Sequence, residues 1–143
     1  MGYTTEFTGE LRFTHELTAS QLAYIQQFLG EDVRDHKDWG TPEELGLQYT
    51  VDLRLTNDFS GIEWDGSEKA YHMVNQVNFV VGKMKDKYPD FGLVGRLSAR
   101  GEDCDDVWEL VIENGVAVQH ELTPTGTKVT CPHCEGTFYW EGP

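Results

Sequence analysis

The chain has 143 residues, 38% of them hydrophobic and 12% aromatic, which suits one domain with a sizeable core and excludes a chain disordered throughout. Its net charge is -14, with 11 acids against 4 bases in residues 1–60, 5 against 6 in residues 61–100, and 9 against 1 in residues 101–143. Such ends repel nucleic-acid phosphates, which argues against direct nucleic-acid binding, and they suit a basic protein surface.

No run approaches about 18 consecutive apolar residues, so no membrane span is expected. The opening MGYTTEFTGE lacks the basic-then-apolar pattern of a secretory signal. Three cysteines, an odd number, argue for reduced thiols and a cytoplasmic location rather than a disulfide scaffold.

Tyr3, Thr5, Phe7, Gly9, Leu11 and Phe13 recur at period two and predict a first strand over residues 3–13. A helix follows: Thr18 and Gln21 form a capping box, Leu22, Ile25, Phe28 and Leu29 fall at helical spacing, and Gly30 ends it. Residues 31–44, charged and broken by Gly40 and Pro42, read as a surface loop. Leu47, Tyr49, Val51, Leu53 and Leu55 alternate as a strand over 45–55, then NDFSG turns the chain into a short strand IEW. In the next segment Asp65 and Glu68 are the expected helix caps, as a second capping box. Tyr71, Val74, Val77, Val81 and Met84 form its apolar stripe, and Lys83, Lys85 and Lys87 suit its C-terminal dipole.

Strands then run from residue 91 onward. Asn114-Gly115 predicts a two-residue hairpin pairing Glu113 with Val116, Val111 with Val118, Glu109 with His120 and Val107 with Leu122. Both faces of this hairpin are fairly apolar, which places it inside the sheet. The order implies an α+β fold, a mostly antiparallel sheet with two amphipathic helices on one face, plus a C-terminal CxxC hairpin. The expected division is a domain over 1–123 and an appendage over 124–143.

Cys131-Pro-His-Cys134 has the spacing of half a zinc ribbon, in which two thiolates bind one ion at about 2.3 Å. The ligands that would complete a tetrahedron are Cys104, His133, His120, an acid, or the same cysteines of a second copy, which would make a homo-oligomer through the knuckle. A second cluster, Glu102, Asp103, Asp105, Asp106 and Glu109, reads either as oxygen ligands for a hard cation or as a solvated turn. No G-x-S-x-G, P-loop or dinucleotide fingerprint occurs, which turns the reading from catalysis toward binding.

The segments MGYTTEFTG, IEWDGSEKAY and RGEDCDDVWELVIENGV resemble an uncharacterised family of small bacteriophage and bacterial proteins over residues 1–118. The chain departs from that family between Gly30 and Tyr49, which is short where relatives carry a basic and aromatic insertion. The resemblance implies a phage or prophage origin and carries no activity. The expectation is therefore a non-enzymatic binder or inhibitor of a host protein with a basic surface, acting as a nucleic-acid mimic. The alternatives are a zinc-stabilised accessory domain and a divalent-cation-dependent hydrolase using the acidic cluster.

Overall fold

Period-two alternation builds the central layer. The computed structural model describes residues 4–68, 70–103 and 106–122, with the backbone of 127–130 and 137–140. Six strands form one antiparallel sheet: β1 (Glu6–Phe13), β2 (Leu53–Leu55), β3 (Gly61–Trp64), β4 (Leu93–Arg100), β5 (Val107–Glu113) and β6 (Val116–Glu121). Their spatial order is β2-β3-β1-β4-β5-β6. Three helices, α1 (Ala19–Gln26), α2 (Pro42–Leu45) and α3 (Met73–Lys87), complete an α+β architecture. Two further strands, β7 (Thr127–Thr130) and β8 (Thr137–Trp140), pair antiparallel with each other, and the residues between them lie outside those described.

One face of the sheet carries the buried side chains Phe7, Leu11, Ile62, Leu97, Leu110 and Ala117. Against them lie Val77, Val80, Val81 and Met84 of α3. The stability that poor helix formers such as valine do not supply comes here from packing. Phe7 meets Trp64 and Trp108 edge-on at 5.8 and 5.6 Å. α1 starts on its capping box, with the Thr18 N–H donating to Gln21 Oε1 (2.8 Å) and the Gln21 N–H to Thr18 Oγ1 (3.2 Å). The helix ends at Gln26 rather than at Gly30, and the turn that follows it packs beside α3 through Phe28, whose ring stands edge-on to Phe79 at 5.9 Å.

Two amides of α3, about 200° apart around its axis, reach opposite edges of the sheet. Asn78 Nδ2 donates to the Ala117 carbonyl (3.0 Å) and its Oδ1 accepts from the Ala117 N–H (2.8 Å), covering part of the β6 edge. Gln76 reaches Asp52, just before β2 on the other edge. The sheet must therefore curve around α3, because six flat strands would span about 24 Å, twice a helix diameter. Gly9 (φ 98°) and Gly95 (φ 111°), in the central strands β1 and β4, take the positive φ such a bend requires.

Four expectations change. The hairpin has the predicted register, but β6 is an edge strand rather than an interior one. Its second face is the solvent side of the sheet, where valines alternate with charges. The strand expected over 45–55 narrows to Leu53–Leu55. Val51 is still buried, but its N–H and C=O bond to Glu31 and Gly30 rather than to a neighbouring strand. The 31–44 loop holds two 3-10 turns and α2, anchored by buried Val33 and by Trp39 against Phe28 and Phe79.

Asp65 and Glu68 are not helix caps. α3 begins at Met73, and its N-cap is His72 in the left-handed region (φ 59°). Asp65 Oδ1 instead accepts from the Ser67 N–H (2.9 Å), Gly66 turns at φ 87°, and the Trp64 indole N–H donates to the Ser67 carbonyl (3.2 Å). These bonds hold the segment in a turn and leave Glu68 exposed.

Asn78→Ala removes both bonds to Ala117, and equilibrium urea unfolding should show a loss of about 1–2 kcal/mol. An unchanged midpoint would show that water replaces the amide at the β6 edge without loss.

Candidate functional site

The acidic cluster divides between two places. Glu102, Asp103 and Asp106 shape the β4–β5 turn, where the Gly101 N–H donates to the Asp106 carbonyl (2.9 Å) and the Asp106 N–H to the Asp103 carbonyl (3.0 Å). Glu102 Oε1 accepts from the Thr4 N–H at 2.9 Å. Glu109 stands up the strand on the solvent face, 3.7 Å from Arg96. Among the described residues no three His, Cys, Asp or Glu side chains converge as metal ligands. Cys104, Asp105, Cys131, His133 and Cys134 lie outside the described residues, so the expected zinc knuckle does too.

The deepest polar group is one that sequence reasoning missed. Asp52 is 7% exposed and Gln76 1%. Gln76 Oε1 accepts from the Asp52 N–H (2.6 Å), and its Nε2 donates to Asp52 Oδ2 (2.9 Å) and to the Tyr71 carbonyl (2.8 Å). Thr50 Oγ1 donates to Asp52 Oδ1 at 2.8 Å. Burial pushes the Asp52 carboxyl above the usual range; the bonds from Thr50 and Gln76 oppose this, and the Asp65 charge adds to it. The knot ties β2 to the first turn of α3, which makes it a positioning device.

The exposed surface with the most varied chemistry lies at one end of the sheet. In the row Gly61–Arg12–Val94, strands β3, β1 and β4 are in register, and beyond the last β4–β5 pair stands the Glu113–Val116 pair of the hairpin. Phe59 (55% exposed), Val94 (51%) and Val116 (47%) show large apolar surfaces at this end. A cavity of about 520 Å³ opens here, with Phe13, Leu17, Leu22, Phe59 and Val94 as its apolar wall. Glu16 and Asp58 bring carboxylates to it and Arg12 a guanidinium.

The β2–β3 turn builds the cavity's outer rim. The Phe59 N–H donates to the Thr56 carbonyl (3.0 Å), and Phe59 then takes φ 60°, a position that glycine or asparagine normally fills. A left-handed phenylalanine costs about 1–2 kcal/mol. Asp58 steadies the turn: its Oδ1 accepts from Thr56 Oγ1 (2.8 Å), Ser60 Oγ (2.6 Å) and the Ser60 N–H (3.1 Å). These bonds, chiefly those from Ser60, hold the carboxyl down at about 2, so it is ionised at neutral pH. No other described residue donates to Oδ2, and no described cation stands within salt-bridge range of Asp58 or Glu16.

The solvent face of the sheet carries four of the chain's five arginines. Three of them have partners: Arg54 with Glu63 at 2.8 Å, Arg96 with Glu109 at 3.7 Å and Arg12 with Glu10 at 3.7 Å. No protein-family model, curated protein or solved structure matches the chain.

The two shifted aspartates give opposite pH dependences. Asp52 has a raised folded pKa, so the folded state holds that proton more tightly, and stability falls as pH rises from about 3.8 through the raised value. In Asp52→Asn a flipped amide keeps both side-chain bonds, so urea midpoints should vary less with pH above 4 and at pH 7 be no lower than wild type. Asp58 has a lowered folded pKa, and its contribution is present above about 3.8 and lost toward pH 2. Asp58→Asn should therefore flatten the acid limb, and an unchanged limb would contradict the turn geometry.

Proposed function

We propose that the chain is a non-enzymatic binding protein, of phage or prophage type, that holds a basic surface of a host protein in the cytoplasm. Its carboxylates stand in for nucleic-acid phosphates. The observation that carries this reading is the sheet end where exposed Phe59, Val94 and Val116 alternate with Asp58, Glu16 and Glu113. Apolar anchors ringed by charge are the make-up of a protein interface.

The arginines of the face support the same partner sign. They are matched to glutamates, whereas Asp58 and Glu16 are free of cations among the described residues. A net charge of -14 adds a long-range field that steers a cationic partner and turns nucleic acid away. The resemblance to small phage and bacterial proteins supports the source. No described helix is long and apolar enough to cross a membrane.

Capture from bacterial lysate, compared between wild type and a Glu113→Lys/Val116→Lys variant, tests the reading. Wild type should retain basic proteins at low salt and release them near 0.5 M, where the Debye length falls to about 4 Å. The variant should retain at least tenfold less of the same proteins. Equal capture by both, or capture indifferent to salt, would sink the proposal.

A further inference from the structure

We infer that the cavity behind Phe59 is the slot for an arginine or lysine side chain of the partner, an assignment that rests on the basic-partner reading above. The first support is shape and chemistry. At about 520 Å³ the cavity falls within the range of ligand pockets, and its wall of Phe13, Leu17, Leu22 and Val94 suits the aliphatic stem of a long basic side chain. Its rim suits the head. Asp58 keeps one carboxylate oxygen fully bonded inside the turn and leaves Oδ2 to an incoming N–H donor, and Glu16 adds a second carboxylate. Phe59 supplies an aromatic face for the cation.

The second support is independent of charge. Phe59 is more than half exposed, yet it occupies a left-handed position that glycine would fill without strain. Local stability does not explain a strained aromatic there, because removing the side chain relieves the backbone and uncovers little core. Strain of this kind persists where the side chain is used.

One group on the rim opposes a cation. Arg12 also lines the cavity, but it is engaged by Glu10 at 3.7 Å, and the two carboxylates outnumber it. His15 bonds Thr14 Oγ1 through Nδ1 (3.3 Å). The field of the whole chain favours the cation further.

The test is a titration of the full chain, isotopically labelled, with N-acetyl-arginine amide and N-acetyl-lysine amide, followed by amide chemical shifts. N-acetyl-leucine amide and spermidine are the controls. The basic amides should shift residues 13–17, 22, 58–60 and 94, and the leucine amide should bind at least tenfold more weakly. Phe59→Gly should weaken the basic amides at least tenfold while raising the urea midpoint, and Asp58→Asn should weaken them with the fold retained. Loss of binding with a raised midpoint is the signature that a merely structural phenylalanine would not give.

Undiminished binding by Phe59→Gly overturns the inference, as does spermidine binding tenfold tighter than the amides, which would make the cavity a site for free amines. The two proposals fail separately. Captured basic proteins that Phe59→Gly still holds would leave the binding function standing without this slot. Wild type that captures none, yet binds the amides at the cavity, would remove the partner and keep the slot.

Discussion

Everything in this fold hangs on α3 being held at both flanks. Gln76 and Asn78 project from nearly opposite sides of one turn, and each makes paired hydrogen bonds to a segment at a different edge of the sheet. Valines alone would let the helix slide along an apolar face, because burial is non-directional. The two amides fix its position and orientation. They also compel the sheet to curve with the helix on its concave side. The opposite face is left to solvent.

That clamp carries a local penalty. A carboxylate at the position of Asp52 is stabilised by Thr50 and Gln76 yet still has its proton affinity raised by burial. A buried charge is weak evidence for stability. Its return here is directional: three of the bonds around Asp52 and Gln76 define where β2 begins and where α3 starts. His72 is the second part of the penalty. Its left-handed backbone turns the chain into α3 without a side-chain cap, and Gln76 satisfies the Tyr71 carbonyl instead.

These long-range bonds mark the limit of what the sequence discloses. The start of α1 was legible because Thr18 and Gln21 are three residues apart and cap each other. The β5–β6 register was legible because Asn114 and Gly115 both take positive φ, as a two-residue hairpin demands. The start of α3 was not. Asp65 and Glu68 have capping spacing, but a bond across 24 residues from Gln76 to Asp52 decides the boundary. The strand at 45–55 was over-read for a related reason, since alternation reports an extended chain and not its hydrogen-bond partner. The cavity was illegible altogether. Its wall comes from β1, the chain entering α1, α1 itself, the β2–β3 turn and β4, and nothing in NDFSG announces a left-handed Phe59 where Ser60-Gly61 follows.

The location of the strain and the sign of the charge converge on one argument. Of the three non-glycine residues with positive φ among those described, His72 leads into α3 and Asn114 and Phe59 sit in strand-joining turns that need this backbone, but Asn114 is a residue that tolerates it, whereas a phenylalanine at position 59 is not what its turn asks for. It sits at the sheet end that also bears Asp58 and Glu16, two of the carboxylates with no described salt bridge. A chain of net charge -14 repels itself when compact, and cations brought by a partner relieve that repulsion in the folded state alone. On the proposed reading, binding to the folded form therefore stabilises it by linkage, by an amount set by the partner's concentration and affinity.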